Sequence, residues 1–164
     1  MKISDVTSDV ERAFYASKNI DFENIKIEGP LDGESAFKEC FNITVKNSKF
    51  LLRYPFWHDT NLKVQNSELF DTCRAPIWYS KNVEFEDVKI EGVKAFRESS
   101  NIKVNNCNFD SEEIFWNCHN INIKKTNINS VYAFFGSTDI SLKNLTFAGK
   151  YSFQYVKNVE IVDS

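Results

Sequence analysis

Three residues with side chains suited to proton transfer stand at the same position of three successive sequence repeats. His58, Tyr79 and Glu98 are separated by 21 and 19 residues. If the repeats stack as parallel strands, this spacing places the three side chains about 5 Å apart. A histidine base, a tyrosine acid and a carboxylate within reach of one substrate suit β-elimination or hydrolysis of a polysaccharide. Arg74 and Arg97, from the same repeats, are candidates to neutralise a uronate group.

The same region has a plainer interpretation as a solvated surface of polar side chains and ion pairs. Glu11, Glu34, Arg53 and Arg74 share another repeat position, which predicts a column of two acids and two bases. No aspartate cluster suited to calcium falls on these faces, and the paired carboxylates of a glycoside hydrolase are not evident. We therefore predict no metal and no cofactor, and we favour the surface interpretation over catalysis.

The four cysteines lack the paired spacing of metal ligands. Cys40 and Cys118 share a repeat position with several serines, but they lie four repeats apart, about 19 Å, which is too far for a disulfide. We interpret them, with Cys107, as small buried residues of a reducing compartment. Cys73 falls within an insertion and is predicted to be the most exposed thiol.

An aromatic strip occupies the repeat position next to the candidate proton-transfer residues. Its members are Trp57, Trp78, Arg97, Trp116 and Phe135. Exposed apolar surface of this extent usually contacts something. The strip is therefore predicted either to be covered by a loop, a neighbouring subunit or a missing tail of the chain, or to stack against the sugar rings of a glycan.

These side chains are carried by a repeat of about 19 residues that fills the chain. Each copy begins with asparagine or aspartate, at Asn19, Asn42, Asn61, Asn82, Asn101, Asn120, Asp139 and Asn158. The residues one and three places later are all apolar and alternate with mostly polar residues, which predicts a half-buried strand. Two further inward positions lie eight places after the asparagine and five places before it, where seven of eight residues are phenylalanine.

Three short strands per repeat, stacked with like residues on like, predict an all-β fold, the parallel β-helix or β-solenoid. Parallel crossovers are overwhelmingly right-handed, so we predict that hand. The chain then forms about eight coils of 19–23 residues with a core about 38 Å long. Asparagine tolerates left-handed backbone, so it is expected to form corners at two positions per coil, where its amides stack into ladders.

We predict a single domain over residues 1–164, with a partial coil at 1–8, full coils at 9–157 and an incomplete coil at 158–164. Insertions at 28–33 and 71–73 lengthen two connections at one corner. Both ends of the chain fall in mid-coil, where strand edges are left unpaired. The ends are therefore expected to pair with other chains, or the natural protein continues past Ser164.

The distribution of charge argues against a nucleic-acid partner. The net charge of -3 arises from 20 basic and 23 acidic residues that are interspersed without a basic run. No apolar stretch of about 18 residues is present for a membrane span, and the first residues lack the apolar core of a secretion signal. We predict a cytoplasmic protein that binds neither nucleic acid nor membrane.

Four segments resemble an uncharacterised bacterial family. They are 53–57 (Arg-Tyr-Pro-Phe-Trp), 74–79 (Arg-Ala-Pro-Ile-Trp-Tyr), 115–118 (Phe-Trp-Asn-Cys) and 157–161 (Lys-Asn-Val-Glu-Ile), set in the asparagine repeat. The family is a domain of unknown function with a pectin-lyase-like β-helix, and the resemblance covers essentially the whole chain. It implies this fold and a bacterial cytoplasmic setting, but no established activity. Family members continue with further coils, which implies that this chain is truncated at its C-terminus.

Two functional hypotheses follow from these residues. We favour a non-catalytic binding or scaffolding module that presents the aromatic strip to a protein partner or a glycan. The alternative is a polysaccharide-active lyase or hydrolase that uses His58, Tyr79 and Glu98 with Arg74 and Arg97 on the same face. Open coil ends and the aromatic face are both candidate surfaces for self-association.

Overall fold

The computed structural model describes residues 1–29 and 35–164. In this part of the chain all regular structure is strand, in twenty elements, and every strand pairing is parallel. Residues one repeat apart lie side by side, as in the pairing of Ile102 with Ile121. The predicted all-β parallel β-solenoid of about eight coils is therefore confirmed. The right-handed winding stays a prediction.

The first sheet is built from the strands that follow each asparagine. Its strands, in spatial order, are β1 (Lys2–Ser8), β2 (Lys18–Ile27), β4 (Phe41–Lys46), β7 (Thr60–Gln65), β10 (Lys81–Glu86), β13 (Ser100–Asn105), β16 (His119–Lys124), β18 (Thr138–Lys143) and β20 (Lys157–Val162). In β4, Ile43 and Val45 are buried while their neighbours face outward. This alternation is the predicted half-buried pattern.

Two further faces complete each coil. The second sheet contains the end of β2, then β5 (Lys49–Phe50), β8 (Glu68–Leu69), β11 (Lys89–Ile90), β14 (Asn108–Asp110), β17 (Asn127–Ala133) and β19 (Thr146–Ser152). The third contains β3 (Phe37–Lys38), β6 (Phe56–Trp57), β9 (Ile77–Trp78), β12 (Lys94–Arg97) and β15 (Glu113–Trp116), and continues into β17 and β19. In the middle of the rod each coil has three separate strands, whereas β1, β2, β17 and β19 each run through a corner.

The core is a column of stacked aromatic rings. Phe96 and Phe115 lie 4.7 Å apart between ring centres with planes 15° apart, and Phe134 continues the stack at 5.1 Å. All three rings are fully buried. Buried phenylalanines of this kind each remove a large apolar surface from water, so the column stabilises the stacking of successive coils.

Besides the two predicted corners, left-handed backbone occurs at a third corner and at the inward residues Phe96, Phe115, Phe134 and Phe153. Asn101 and Asn106 represent the two predicted corners, with φ of 54° and 53°. The third lies three residues before each asparagine and includes His58 (58°), Tyr79 (52°) and Glu98 (51°). Left-handed backbone costs such residues about 1–2 kcal/mol each. Because the residues at this corner share no residue type, the composition of the repeat did not indicate it.

The predicted asparagine ladder forms at the first corner. The Nδ2 of Asn101 donates to the Oδ1 of Asn82 at 2.7 Å, and that of Asn120 donates to the Oδ1 of Asn101 at 2.9 Å. At the second corner the ladder is partial: Asn106 donates to Asp87 at 2.5 Å, but Asn47 reaches the carboxylate of Glu23 instead. Aspartate accepts and cannot donate, which interrupts the second column.

One of the two insertions lies within the described residues, and its structure corrects a prediction. The insertion predicted at 28–33 falls largely in residues 30–34, which lie outside the described residues. At 71–73 the chain makes a turn in which the Cys73 amide donates to the Phe70 carbonyl at 2.9 Å. Cys73 was predicted to be the most exposed thiol, and this is wrong: the side chain is fully buried and its Sγ lies 3.3 Å from the Phe50 carbonyl oxygen. The turn directs the thiol inward.

Among the described residues, strand β20 pairs with β18 alone, and its apolar residues Val159 and Ile161 are exposed. Pairing of the coil ends and continuation past Ser164 both stay predictions. Within residues 1–29 and 35–164, no helix has the length and apolar character needed to cross a membrane.

Candidate functional site

The third sheet carries the predicted aromatic strip on its outer surface. Trp57, Trp78, Arg97 and Trp116 are the last residues of β6, β9, β12 and β15, and the register pairs each with the next. Phe135 follows in the next coil. The residue just before each of these five is buried; it is Ile77 before Trp78 and phenylalanine in the other four coils, and the ladder residue beside it lies on the outer side of the sheet. All five side chains are half-buried.

The five side chains form one continuous stack, which we call the aromatic–arginine ladder. The rings of Trp57 and Trp78 are centred 5.1 Å apart, and those of Trp116 and Phe135 are 4.9 Å apart. Arg97 bridges the two pairs, with its guanidinium carbon 5.5 Å from the Trp78 ring centre and 5.3 Å from that of Trp116. Cation–π attraction on both sides of one guanidinium holds the ladder together.

Hydrogen bonds fix two indole rings in the ladder. The Nε1 of Trp78 donates to the Lys94 carbonyl at 3.3 Å, and the Nε1 of Trp116 donates to the Tyr132 carbonyl at 3.3 Å. Both bonds reach the next coil along the rod. The ring orientations are therefore set by the backbone before any partner binds, which lowers the entropy cost of an encounter.

A carboxylate that the sequence did not single out lies beside the ladder. Glu113 Oε2 is 3.6 Å from Arg97 Nη1, and Oε1 is 3.7 Å from Lys94 Nζ. The Glu113 side chain is 18% exposed, and Oε2 has no hydrogen-bond partner in the described part of the chain. The arginine charge is thus partly balanced within the fold. The sequence could have indicated this contact, because Lys94 and Glu113 occupy the same position in successive repeats.

The structure brings together only two of the three candidate proton-transfer residues. His58 and Tyr79 are stacked, with ring centres 5.0 Å apart and planes 10° apart. Glu98 lies on the next coil, where its Oε1 accepts a hydrogen bond from Asn117 at 2.8 Å. In the described residues no hydrogen bond joins His58, Tyr79 and Glu98 to one another. All three are exposed corner residues.

Arg74 does not join this group. Its side chain is exposed, and among the described residues no ion pair or ring contact links it to the ladder. Its backbone carbonyl accepts the Lys94 amide at 2.8 Å. Of the predicted acid–base column, Glu34 lies outside the described residues, and Arg53 packs its guanidinium over the Tyr54 ring at 5.2 Å.

A shallow groove opens at one end of the ladder. It has a volume of about 240 Å³ and is lined by Ser35, Lys38, Tyr54 and Trp57. A larger depression of about 610 Å³ lies away from the ladder, between residues 110 and 150, and is lined mainly by small and polar residues. The smaller groove combines two aromatic rings with an ammonium group and is therefore the better candidate for a specific ligand.

A second residue missed from the sequence is the buried aspartate Asp59. Its side chain is 0% exposed and follows Trp57 and His58 directly in the chain. Burial raises the pKa of its carboxyl group well above the ordinary aspartate value, and a hydrogen bond from the Cys40 amide opposes this only in part. The sequence could have indicated this residue, because Asp59 is an acid at a repeat position that small residues hold in the other coils.

The four cysteines are free and buried, and burial raises the pKa of each thiol to about 12. A thiol held neutral in this way is a poor nucleophile and a poor metal ligand. No group of three or more His, Cys, Asp or Glu side chains in the described residues is placed to hold a metal ion.

The whole chain, residues 1–164, matches the family described as "Protein of unknown function (DUF3737)", and the protein belongs to that family. Among curated proteins, none matches the sequence. A solved structure of QnrB1, described as a plasmid-mediated fluoroquinolone resistance protein, is 13% identical over 98% of this chain and 88% of that chain, with a TM-score of 0.34. The pectin-lyase-like relationship and the bacterial source implied by the resemblance stay predictions.

Proposed function

We propose that this member of the DUF3737 family is a non-catalytic binding module that presents the aromatic–arginine ladder to a protein partner. The observation that carries the proposal is the continuity of the ladder from Trp57 to Phe135, across five coils. A rigid, half-exposed row of tryptophan and arginine side chains has the composition that dominates binding energy at protein interfaces.

The orientation of the rings favours a protein over a glycan along most of the ladder. A sugar ring binds tryptophan by covering one ring face. Trp78 lies between Trp57 and Arg97, and Trp116 lies between Arg97 and Phe135, so each indole has a neighbouring side chain within 5.5 Å on both sides along the rod, which leaves little room for a sugar ring. Their outward edges remain available, and these suit the side chains of a protein surface.

The groove at the Lys38 end supports a saccharide as the second candidate ligand. Here Trp57 has Trp78 on one side, and the groove lies on the other, beside Tyr54 and Lys38. A sugar carboxylate placed against the Lys38 ammonium would gain a charge-assisted hydrogen bond. In this alternative the ligand is one or two sugar units long, not a polysaccharide that extends along the ladder.

The enzymatic alternative has less support. A general base must be within hydrogen-bond reach of the proton that it removes, and a relay between catalytic groups needs similar contacts. His58 and Tyr79 face each other ring to ring, while the Glu98 carboxylate is held by Asn117. This arrangement favours a corner stabilised by side-chain packing over a catalytic site.

A photo-crosslinking experiment tests the proposed contact surface. A benzophenone amino acid is placed at Tyr79, whose ring lies 6.0 Å from that of Trp78, and separately at Lys103, an exposed residue of β13 on another sheet. In cells that naturally produce the protein, we expect one discrete crosslinked partner from position 79 and none from position 103. The Arg97→Ala and Trp116→Ala variants should lose it.

Equal crosslinking from both positions, or retention in both variants, would contradict the proposal. A crosslinked dimer of the chain itself would identify the partner as a second copy. In parallel, uronate and neutral oligosaccharides are titrated while the intrinsic tryptophan fluorescence is recorded. A saturable change that is lost in both Lys38→Ala and Trp57→Ala would replace the protein partner with the saccharide alternative.

A further inference from the structure

The residues two places before each asparagine form a column of small side chains that point into the rod. They are Ser17, Cys40, Asp59, Ser80, Ser99, Cys118, Ser137 and Val156. From Cys40 to Ser137 every one of them is buried. Asp59 is the one member of this column with an acidic side chain.

Three serines of this column, Ser80, Ser99 and Ser137, both accept and donate a hydrogen bond, and Ser17 donates to the Phe14 carbonyl. Ser80 Oγ accepts from the Asp59 amide at 3.2 Å and donates to the Trp78 carbonyl at 3.1 Å. Ser99 Oγ likewise accepts from the Ser80 amide at 3.1 Å and donates to the Arg97 carbonyl at 3.0 Å. In these coils the side chain accepts from an amide of the preceding coil and donates to a carbonyl of its own or the preceding coil.

Ser137 also accepts and donates, and the cysteines share the donor half of this pattern. Ser137 Oγ accepts from the Cys118 amide at 2.9 Å and donates to the Phe115 carbonyl at 2.6 Å. The Cys118 thiol donates to the Phe96 carbonyl at 2.9 Å. Thiols donate more weakly than hydroxyls, but both carry a proton for the nearby carbonyl.

When it is ionised, Asp59 can act as the acceptor at this position but not as the donor. Its Oδ1 accepts from the Cys40 amide at 2.8 Å, whereas Oδ2 is buried without a hydrogen-bond partner in the described residues. The carbonyls that correspond to those used by the other members belong to Trp57 and Phe37. A carboxylate has no proton for either of them, but a carboxylic acid does.

We propose that Asp59 is a neutral carboxylic acid in the folded protein at neutral pH, where it replaces a serine hydroxyl as donor and makes the stability of the rod sensitive to pH. The titratable group placed against it is the Cys40 thiol, and His58 beside it in the chain points outward. No ion pair within the described residues includes Asp59, so no cation stabilises its ionised form.

The direction of the pH effect follows from proton binding. Burial raises the pKa of Asp59 above the ordinary aspartate value of 3.8, so the folded chain holds a proton that the unfolded chain has released. Between these two pKa values, the free energy of unfolding falls as pH rises. Below the lower pKa, Asp59 is protonated in both the folded and the unfolded chain, and the loss of stability disappears.

The test compares the wild type with Asp59→Asn and Asp59→Ser. Asparagine retains an acceptor and a donor without ionising, and serine is the residue of the neighbouring coils. We expect the urea midpoint of both variants to exceed that of the wild type at about pH 8 and the difference to shrink towards about pH 4. Asp9→Asn, at an exposed aspartate, is the control and should follow the wild type at every pH.

Midpoints of the Asp59 variants that run parallel to the wild type, or lie below it at about pH 8, would overturn the proposal. A second measurement does not depend on the variants folding. The ¹³C carboxyl resonance of Asp59 in the wild-type protein should keep the shift of a protonated acid at about pH 7. A carboxylate shift already at about pH 5 would overturn the proposal independently.

Discussion

The guanidinium carbon of Arg97 lies 5.3 Å from the ring centre of Trp116, one coil away, and 5.5 Å from that of Trp78 on the other side. Replacing Arg97 by methionine keeps a long side chain but removes the charge and its contacts with both indoles. We expect the free energy of unfolding to fall by about 1–2 kcal/mol, since each cation–π contact contributes about 0.5–1 kcal/mol. Urea denaturation measures the change.

The control for Arg97 is Lys94→Met. Lys94 Nζ lies 3.7 Å from the Glu113 carboxylate, so its loss removes a cation near Glu113 without removing the guanidinium from the rings. Arg97→Lys should fall between the wild type and Arg97→Met, because an ammonium keeps the charge but cannot lie flat between two rings. If Arg97→Met were no less stable than Lys94→Met, the ladder would not depend on the arginine.

The phenylalanine column is tested by Phe96→Ala. The Phe96 ring is fully buried and lies 4.7 Å from the Phe115 ring and 5.0 Å from that of Phe85. The cavity left by truncation should cost about 3–5 kcal/mol. Phe41 is 44% exposed at the start of β4, so Phe41→Ala should cost far less under the same conditions. Equal losses at both positions would contradict the assigned core.

The asparagine corner predicts an order of stability among substitutions at Asn101. Its backbone has φ of 54°, and its amide bonds both Asn82 and Asn120. Asn101→Gly loses these two bonds, each contributing about 0.5–1.5 kcal/mol. Asn101→Ala loses them too and adds about 1–2 kcal/mol of left-handed strain. Thermal unfolding should rank wild type above glycine and glycine above alanine, and the reverse order for the two variants would refute this corner.

Thiol labelling tests the corrected position of Cys73. All four cysteines are buried, and burial raises the pKa of each thiol to about 12. We expect an aromatic disulfide reagent at about pH 8 to label the folded chain at least about a hundredfold more slowly than the urea-unfolded chain. Fast release of one equivalent from the folded protein, lost in Cys73→Ser, would restore the exposed thiol that the sequence suggested.

The sequence predicted the repeat because burial in a solenoid recurs with the period of the coil. Ile102, Val104 and Phe109 lie at inward positions that recur in every coil, and all three are buried. Asn101 was predicted as a corner since few side chains tolerate left-handed backbone. The corner at Tyr79 was missed because its members share no residue type, and their backbone conformation is imposed by the coils above and below.

Contacts between side chains of different coils were harder to predict. The repeat placed Trp78, Arg97 and Trp116 on one face, but whether their rings would face outward or face each other depends on rotamers that packing selects. Glu113 and Asp59 were overlooked for the same reason, since their roles come from neighbours one coil away. Cys73 was misplaced because the direction of a turn is not encoded by its length.

Hydroxyl-radical footprinting tests most directly whether the ladder is a contact surface. The purified chain and a gentle lysate of cells that naturally produce it are oxidised in parallel, and modification is quantified at Trp78, Trp116 and Phe41. If a partner covers the ladder, both tryptophans should be oxidised several-fold less in the lysate, while Phe41, exposed beyond the corner on β4, is unchanged. Equal oxidation of the tryptophans in both samples would contradict a partner bound at the aromatic–arginine ladder.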